Sequence, residues 1–162
     1  SEFEILKNPN FSVSDEDYLD LDKYATHMEN NFNEMAKYIN NNKELIDKLG
    51  VLVKELDENP EVRENGEKLL ELMNSWDKKM MQRMSKAYDD VENFPNKFLA
   101  DYLFILDEIK GDIPNVSEGI LKSLKSHDEK WVELKKEIDE INQVNIPEYN
   151  KELWSIGIGA LN

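Results

Sequence analysis

The sequence predicts an all-α protein, an antiparallel up-down four-helix bundle with one long first helix and a short fifth C-terminal helix. Apolar residues recur at helical spacing in every long segment. Outside residues 3–6, no segment shows the apolar–polar alternation of a sheet strand. Only 6 Gly and 5 Pro occur among 162 residues, which is low for a chain of many short strands.

Residues 1–13 are predicted to lie outside the helical bundle domain, which spans 14–162. Residues 3–6 alternate apolar and polar side chains like the end of a β-strand, and Asn8-Pro9 then breaks the pattern. The segment is either an ordered tail lying on the bundle or the last strand of a preceding domain.

The first helix is predicted to begin at Ser14 and to run without a break through Gly50. Ser14 is a good N-cap residue, and acidic residues follow it where the helix dipole favours anions. Seam positions then alternate four and three residues apart. They are Leu21, Ala25, Met28, Phe32, Met35, Ile39, Asn42, Ile46, Leu49, Val53 and Leu56. Because this register has no slip at Gly50, we expect one helix roughly 60 Å long.

Three shorter helices and a terminal one follow. The second is predicted from about Glu61 to about Lys86, and the third has Pro95 in its first turn. The fourth opens at the N-cap Ser117, and a short fifth helix starts at Asn145-Ile146-Pro147. The seam of the second helix is Val62, Gly66, Leu69, Met73, Trp76 and Met80.

Charge and cysteine content exclude several classes of function. The chain has 20 Lys and Arg against 35 Asp and Glu, a net charge of −15, and no cysteine. A nucleic-acid partner is therefore not expected, because phosphate binding needs a basic footprint. Thiolate metal sites and cysteine nucleophiles are excluded. No apolar stretch approaches the length of a membrane span, so we expect no membrane insertion.

Two histidines provide the main candidates for a bound cofactor. A di-iron bundle needs Glu-x-x-His motifs, but Tyr24 and Leu124 stand three residues before His27 and His127. His127, on the seam of the fourth helix, is either a haem ligand opposite a methionine such as Met28 or Met35, or a core-edge histidine bonded to a carbonyl or carboxylate.

Other patterns are more typical of structure than of sites. The run Asp15, Asp17, Asp20 and Asp22 lacks the glycine that turns a calcium loop and fits a solvated helix start. Met80, Met81 and Met84 suit either core packing or an adaptable groove. We therefore predict no catalytic residues, no cofactor and no metal.

Three stretches resemble the C-terminal helical region of bacterial sortilin-like, BNR-repeat β-propeller proteins, often labelled glycosyl hydrolases. They are residues 3–15, 90–98 and 131–150. The matches to the family phrases are Phe3, Pro9, Pro147 and Asn150, and the departures are Asn8, Ile146 and Tyr149. The resemblance implies an exported bacterial protein, periplasmic or extracellular, whose ligand binding or hydrolysis lies in a propeller outside this segment.

Taken together, these patterns predict a non-catalytic interaction or spacer module of a larger exported protein. Its partner is another domain of the same protein or a second protein, and we expect a monomer rather than a dimer. The predicted interaction surface is Trp154, Ile156, Ile158 and Leu161. Two alternatives remain open: a coiled-coil-type partner-binding or oligomerisation domain, and a ligand- or haem-holding four-helix bundle.

Overall fold

The protein is all-helical. A computed structural model describes residues 6, 9, 12–85, 92–111, 113 and 115–162, and these residues contain helices, turns and irregular segments but no strand. The predicted strand end at residues 3–6 lies outside them except for Leu6, which is exposed. No helix in the described ranges is both long and apolar enough to cross a membrane.

The first helix, α1, spans Asp15–Glu55. Ser14 caps it as predicted: the Asp17 amide donates to Ser14 Oγ (3.1 Å), and the Ser14 amide donates to Asp17 Oδ2 (2.8 Å). This reciprocal pair is a capping box, which satisfies two backbone donors at the helix start. The helix continues through Gly50, and its 41 residues correspond to about 60 Å.

The second helix, α2, spans Pro60–Met80 and ends earlier than the sequence predicts. Met81 already has an extended backbone, with φ −129° and ψ 137°. The predicted end near Lys86 was wrong because the chain turns to bring Arg83 back onto Asp77. The Arg83 guanidinium donates to both carboxylate oxygens of Asp77, at 2.6 and 2.8 Å, and this pair neutralises a buried carboxylate.

The third helix, α3, spans Phe98–Ile109. The prediction that Pro95 lies in its first turn was wrong, because the N-cap residue is Lys97 and Pro95 precedes the helix. The fourth helix, α4, spans Glu118–Glu140, and the Ile120 amide donates to Oγ of its predicted N-cap Ser117 (3.3 Å).

The predicted fifth helix is a continuation of α4. A π-helical turn, Ile141–Asn145, leads directly into α5, Ile146–Ser155, and the backbone stays helical throughout. The described chain thus forms four helices if this run is counted once. Pro147 supplies a physical reason for the π-turn, since its ring has no N–H and clashes with the carbonyl four residues earlier in a regular α-helix.

One apolar core draws side chains from every helix, and most predicted seam positions are buried in it. The fully buried side chains are Met28, Met35, Leu49, Leu56, Met73, Trp76, Met80, Tyr102, Ile109, Leu134, Ile138 and Leu153. Ile105 of α3 is also buried, although the face that the sequence predicts for this helix is Phe98, Leu99, Tyr102, Leu103, Leu106 and Ile109. The seam pattern therefore identified the core but not its full width.

Candidate functional sites: the C-terminal strap and a polar cluster

The chain after α5 folds back onto the helices; we call residues 156–162 the C-terminal strap. The turn that starts it is a Schellman motif, with the Ile158 amide donating to Leu153 O (2.9 Å) and the Gly157 amide to Trp154 O (3.1 Å). Gly157 has φ +80°, a conformation that favours glycine. The backbone is therefore redirected immediately after the last helical turn.

Asn150 fastens the far end of the strap. Its Oδ1 accepts a hydrogen bond from the Leu161 amide (2.7 Å), and its Nδ2 donates to the Leu161 carbonyl (3.4 Å). Asn150 is buried. On α1, Lys48 Nζ donates to the carbonyl oxygen of Asn162. The strap is thus tied to α5 and to α1 through backbone groups.

The four residues of the predicted interaction surface lie in different environments. Leu161 is 6% exposed and belongs to the core, while Ile156 and Ile158 are half-buried and pack against it. Trp154 is 60% exposed. The sequence reasoning singled out this segment but missed Asn150 as its anchor, because an Asn eleven residues before its partner has no recognisable spacing.

A polar cluster joins α1, α3 and α4, formed by His27, Asn31, Tyr102 and Asp128. His27 Nε2 lies 2.8 Å from Asp128 Oδ2, and the Tyr102 hydroxyl donates to Asp128 Oδ1 (3.0 Å). Asn31 Nδ2 donates to the Tyr102 hydroxyl oxygen (2.9 Å) and lies 3.2 Å from Asp128 Oδ1. One carboxylate is thereby surrounded by donors from two other helices.

The ionisable side chains of this cluster differ in how deeply they are buried. Burial raises the pKa of Tyr102 well above its usual value, and the Asp128 carboxylate raises it further, against the effect of the Asn31 amide. Tyr102 is therefore a neutral donor at physiological pH. His27 is half-exposed, and its contact with Asp128 orients the ring. Because His27 and Asp128 lie 101 positions apart, no motif could link them in the sequence.

A second set of polar contacts joins α1 to α4 further along. The Tyr38 hydroxyl donates to Asp139 Oδ1 (2.6 Å), and Trp131 Nε1 donates to Glu34 Oε2 (3.3 Å). Lys135 pairs with the same Glu34. The hydrogen bond to Asp139 is the main cause that raises the pKa of Tyr38 to about 12. These contacts fix α1 against α4 along two further turns.

The residues weighed as possible haem ligands make packing contacts. His127 Nδ1 lies 2.9 Å from the Ser123 carbonyl oxygen, and the ring stacks on Phe98 with 5.9 Å between centroids. Met28 and Met35 are fully buried. Of the methionines near the end of α2, Met80 is buried and Met84 is exposed. Among the described residues, no three His, Cys, Asp or Glu side chains converge as metal ligands would.

An open groove of about 990 Å³ lies between α2 and the start of α3. Lys78 and Lys97 line it together with Glu71, Asp101 and Phe98. Since both charge signs are present, the groove does not select one class of ligand by charge.

Comparisons of the chain with protein-family models, curated proteins and solved structures yield no significant match. The resemblance to sortilin-like proteins accordingly stays a prediction.

Proposed function

We propose that the protein is a non-catalytic helical module that acts as a spacer and an interaction unit. The observation that carries this proposal is the position of Ser14 and Asn162 along α1. Ser14 caps the N-terminal end of α1, while Asn162 is bound by Lys48 near the other end. Ser14 and Lys48 are 34 positions apart, which corresponds to about 50 Å of helix, so chain segments that leave the module at Ser14 and Asn162 would be held about that far apart.

We infer from the contacts that α1, α2 and the continuous helix formed by α4 and α5 lie side by side. Residue numbers rise together where α1 meets α4, from Asn31–Asp128 to Tyr38–Asp139. Where α2 meets the continuous helix of α4 and α5, residue numbers rise along one helix as they fall along the other, from Asn65–Glu152 to Trp76–Leu134. The contacts favour α1 and α4 running in the same direction, whereas the up-down alternation predicted from the sequence would oppose them.

The alternative of a coiled-coil oligomer receives less support. A coiled coil needs its apolar seam free for a second helix. Met28, Met35 and Leu49 of that seam are fully buried within one chain. We therefore propose a monomer, and sedimentation at 19.0 kDa is the expected result. The placement in an exported bacterial protein, next to a propeller, rests on the sequence resemblance.

The spacer proposal can be tested by measuring the distance directly. The chain has no cysteine, so spin labels can be attached at Glu16→Cys and Gly159→Cys without removing other thiols. Both positions are exposed, and a Cβ added at Gly159 has no neighbour within 4 Å among the described residues. Double electron–electron resonance should give one narrow distribution of label-to-label distances, centred near 50 Å.

The matched control is the pair Glu16→Cys and Glu44→Cys, which lies wholly within α1. Its 28-residue separation corresponds to about 42 Å. A broad distribution for the first pair, or one centred below about 30 Å, would reject a rigid spacer if the control pair kept its helical distance.

A further inference from the structure

We infer that the C-terminal strap occupies in cis a peptide-binding site formed by α5 and α1. The partner that this site fits is an extended peptide segment that offers one backbone N–H and C=O pair and a buried leucine. The inference rests on the interaction role proposed above and identifies the surface that would perform it.

The first argument is that Asn150 recognises backbone rather than side chain. Its amide oxygen and nitrogen bond to the N–H and C=O of a single residue, Leu161. Any extended peptide presents this same pair of groups, as in recognition by added strands. With the strap in place Asn150 is only 8% exposed, so the strap supplies both hydrogen-bond partners of a largely desolvated amide.

The second argument concerns selectivity. Leu161 enters the core and Ile158, three residues earlier, packs against it. Between them, Gly159 contacts nothing within 4 Å at its would-be Cβ and Ala160 is half-buried. Two apolar side chains therefore anchor the strap, and the residues between them tolerate variation. An apolar residue followed three positions later by leucine is the pattern that a competing peptide needs.

The third argument is that the strap can leave without unfolding the helices. It joins α5 through Gly157, whose would-be Cβ has no neighbour within 4 Å, and its far end depends on Asn150 and Lys48. A local opening of one segment costs less free energy than unfolding of the whole domain. Release of residues 158–162 would uncover the site while Leu153 stays in the core.

The test uses the full-length chain and a fluorescein-labelled peptide that copies residues 156–162. Leu161→Gly should detach the strap, because it removes the side chain that is buried in the core. All other residues of the chain stay unchanged. Fluorescence anisotropy should show at least tenfold tighter peptide binding to this variant than to the wild type, whose site is filled. Adding Asn150→Ala to the variant should abolish this gain, and a peptide with Asp in place of leucine should not bind.

A folded Leu161→Gly variant that binds the peptide no better than the wild type overturns the inference. Should the variant not fold, amide hydrogen exchange of the wild type provides an independent test. The Leu161 amide should exchange at least tenfold faster than the Leu153 amide, through a local opening. Equal protection of both amides would make the strap an integral part of the core and reject the inference, while the spin-label distances of the spacer proposal would be unaffected.

Discussion

The contacts of α1 with α2 and with α4 are built from different chemistry. Where α1 meets α2 the surroundings are apolar, and the polar Asn42 is enclosed there. It donates to the Met73 carbonyl (3.1 Å), while its own oxygen has no hydrogen-bond partner among the described residues. Where α1 meets α4, hydrogen bonds and ion pairs recur, from His27 to Tyr38. Apolar burial supplies most of the stabilising free energy, whereas specific polar pairs favour one register over others.

The largest expected effect compares one residue from each contact. Met73→Ala removes a fully buried side chain and should lower the free energy of unfolding by about 3 kcal/mol. His27→Ala removes a half-exposed partner of Asp128 and should lower it by less than about 1 kcal/mol. Urea unfolding of both variants measures the difference. Equal losses in the free energy of unfolding would contradict the view that apolar burial between α1 and α2 stabilises the protein more than the polar pairs between α1 and α4.

An intermediate effect is expected where α2 meets α5. A Cβ at Gly66 would lie 2.4 Å from the Tyr149 hydroxyl oxygen and 2.7 Å from Val53 Cγ1. Gly66→Ala should therefore destabilise the protein by about 2 kcal/mol through overpacking. Gly50→Ala is the matched control, because nothing lies within 4 Å of its Cβ, and it should stabilise α1 by about 0.5–1 kcal/mol. A thermal melt in which both variants shift in the same direction would refute the close approach of Tyr149.

The smallest effect concerns Tyr38 and depends on pH. Its hydroxyl donates to Asp139, and its pKa is raised to about 12, so folding favours the neutral phenol. Tyr38→Phe should cost about 1 kcal/mol near pH 8. The stabilisation that Tyr38 provides is complete below pH 10 and is lost as the pH rises through 12. The difference between wild type and variant, measured by urea unfolding, should therefore shrink between pH 10 and pH 12; a constant difference would argue against the bond to Asp139.

The helix starts show how far local sequence reaches. Ser14 and Ser117 cap α1 and α4 as predicted, because a cap involves only residues three positions away. The end of α2 was misjudged since it depends on Arg83 returning to the buried Asp77. The predicted seam ends at Met80, but helical periodicity alone contains no signal for the reversal that follows.

The C-terminal helix shows a similar limit to what local sequence predicts. Asn145-Ile146-Pro147 suggested a new helix, and the chain does change there, but through a π-turn inside a continuous helix. Proline forbids a regular bond at that point. The core decides whether the helix ends there or continues through a wider π-turn, because it buries Ile141 and Tyr149 on either side of the turn.

The sequence by itself determined the all-helical class, the uninterrupted α1 and most of the core, because helical periodicity and caps are local properties. Only the tertiary structure decided which polar residues meet, as in the cluster around Asp128, and how the strap lies against Asn150. These contacts link residues from eleven to 101 positions apart. Their energies depend on burial and orientation, which exist only once the helices have packed.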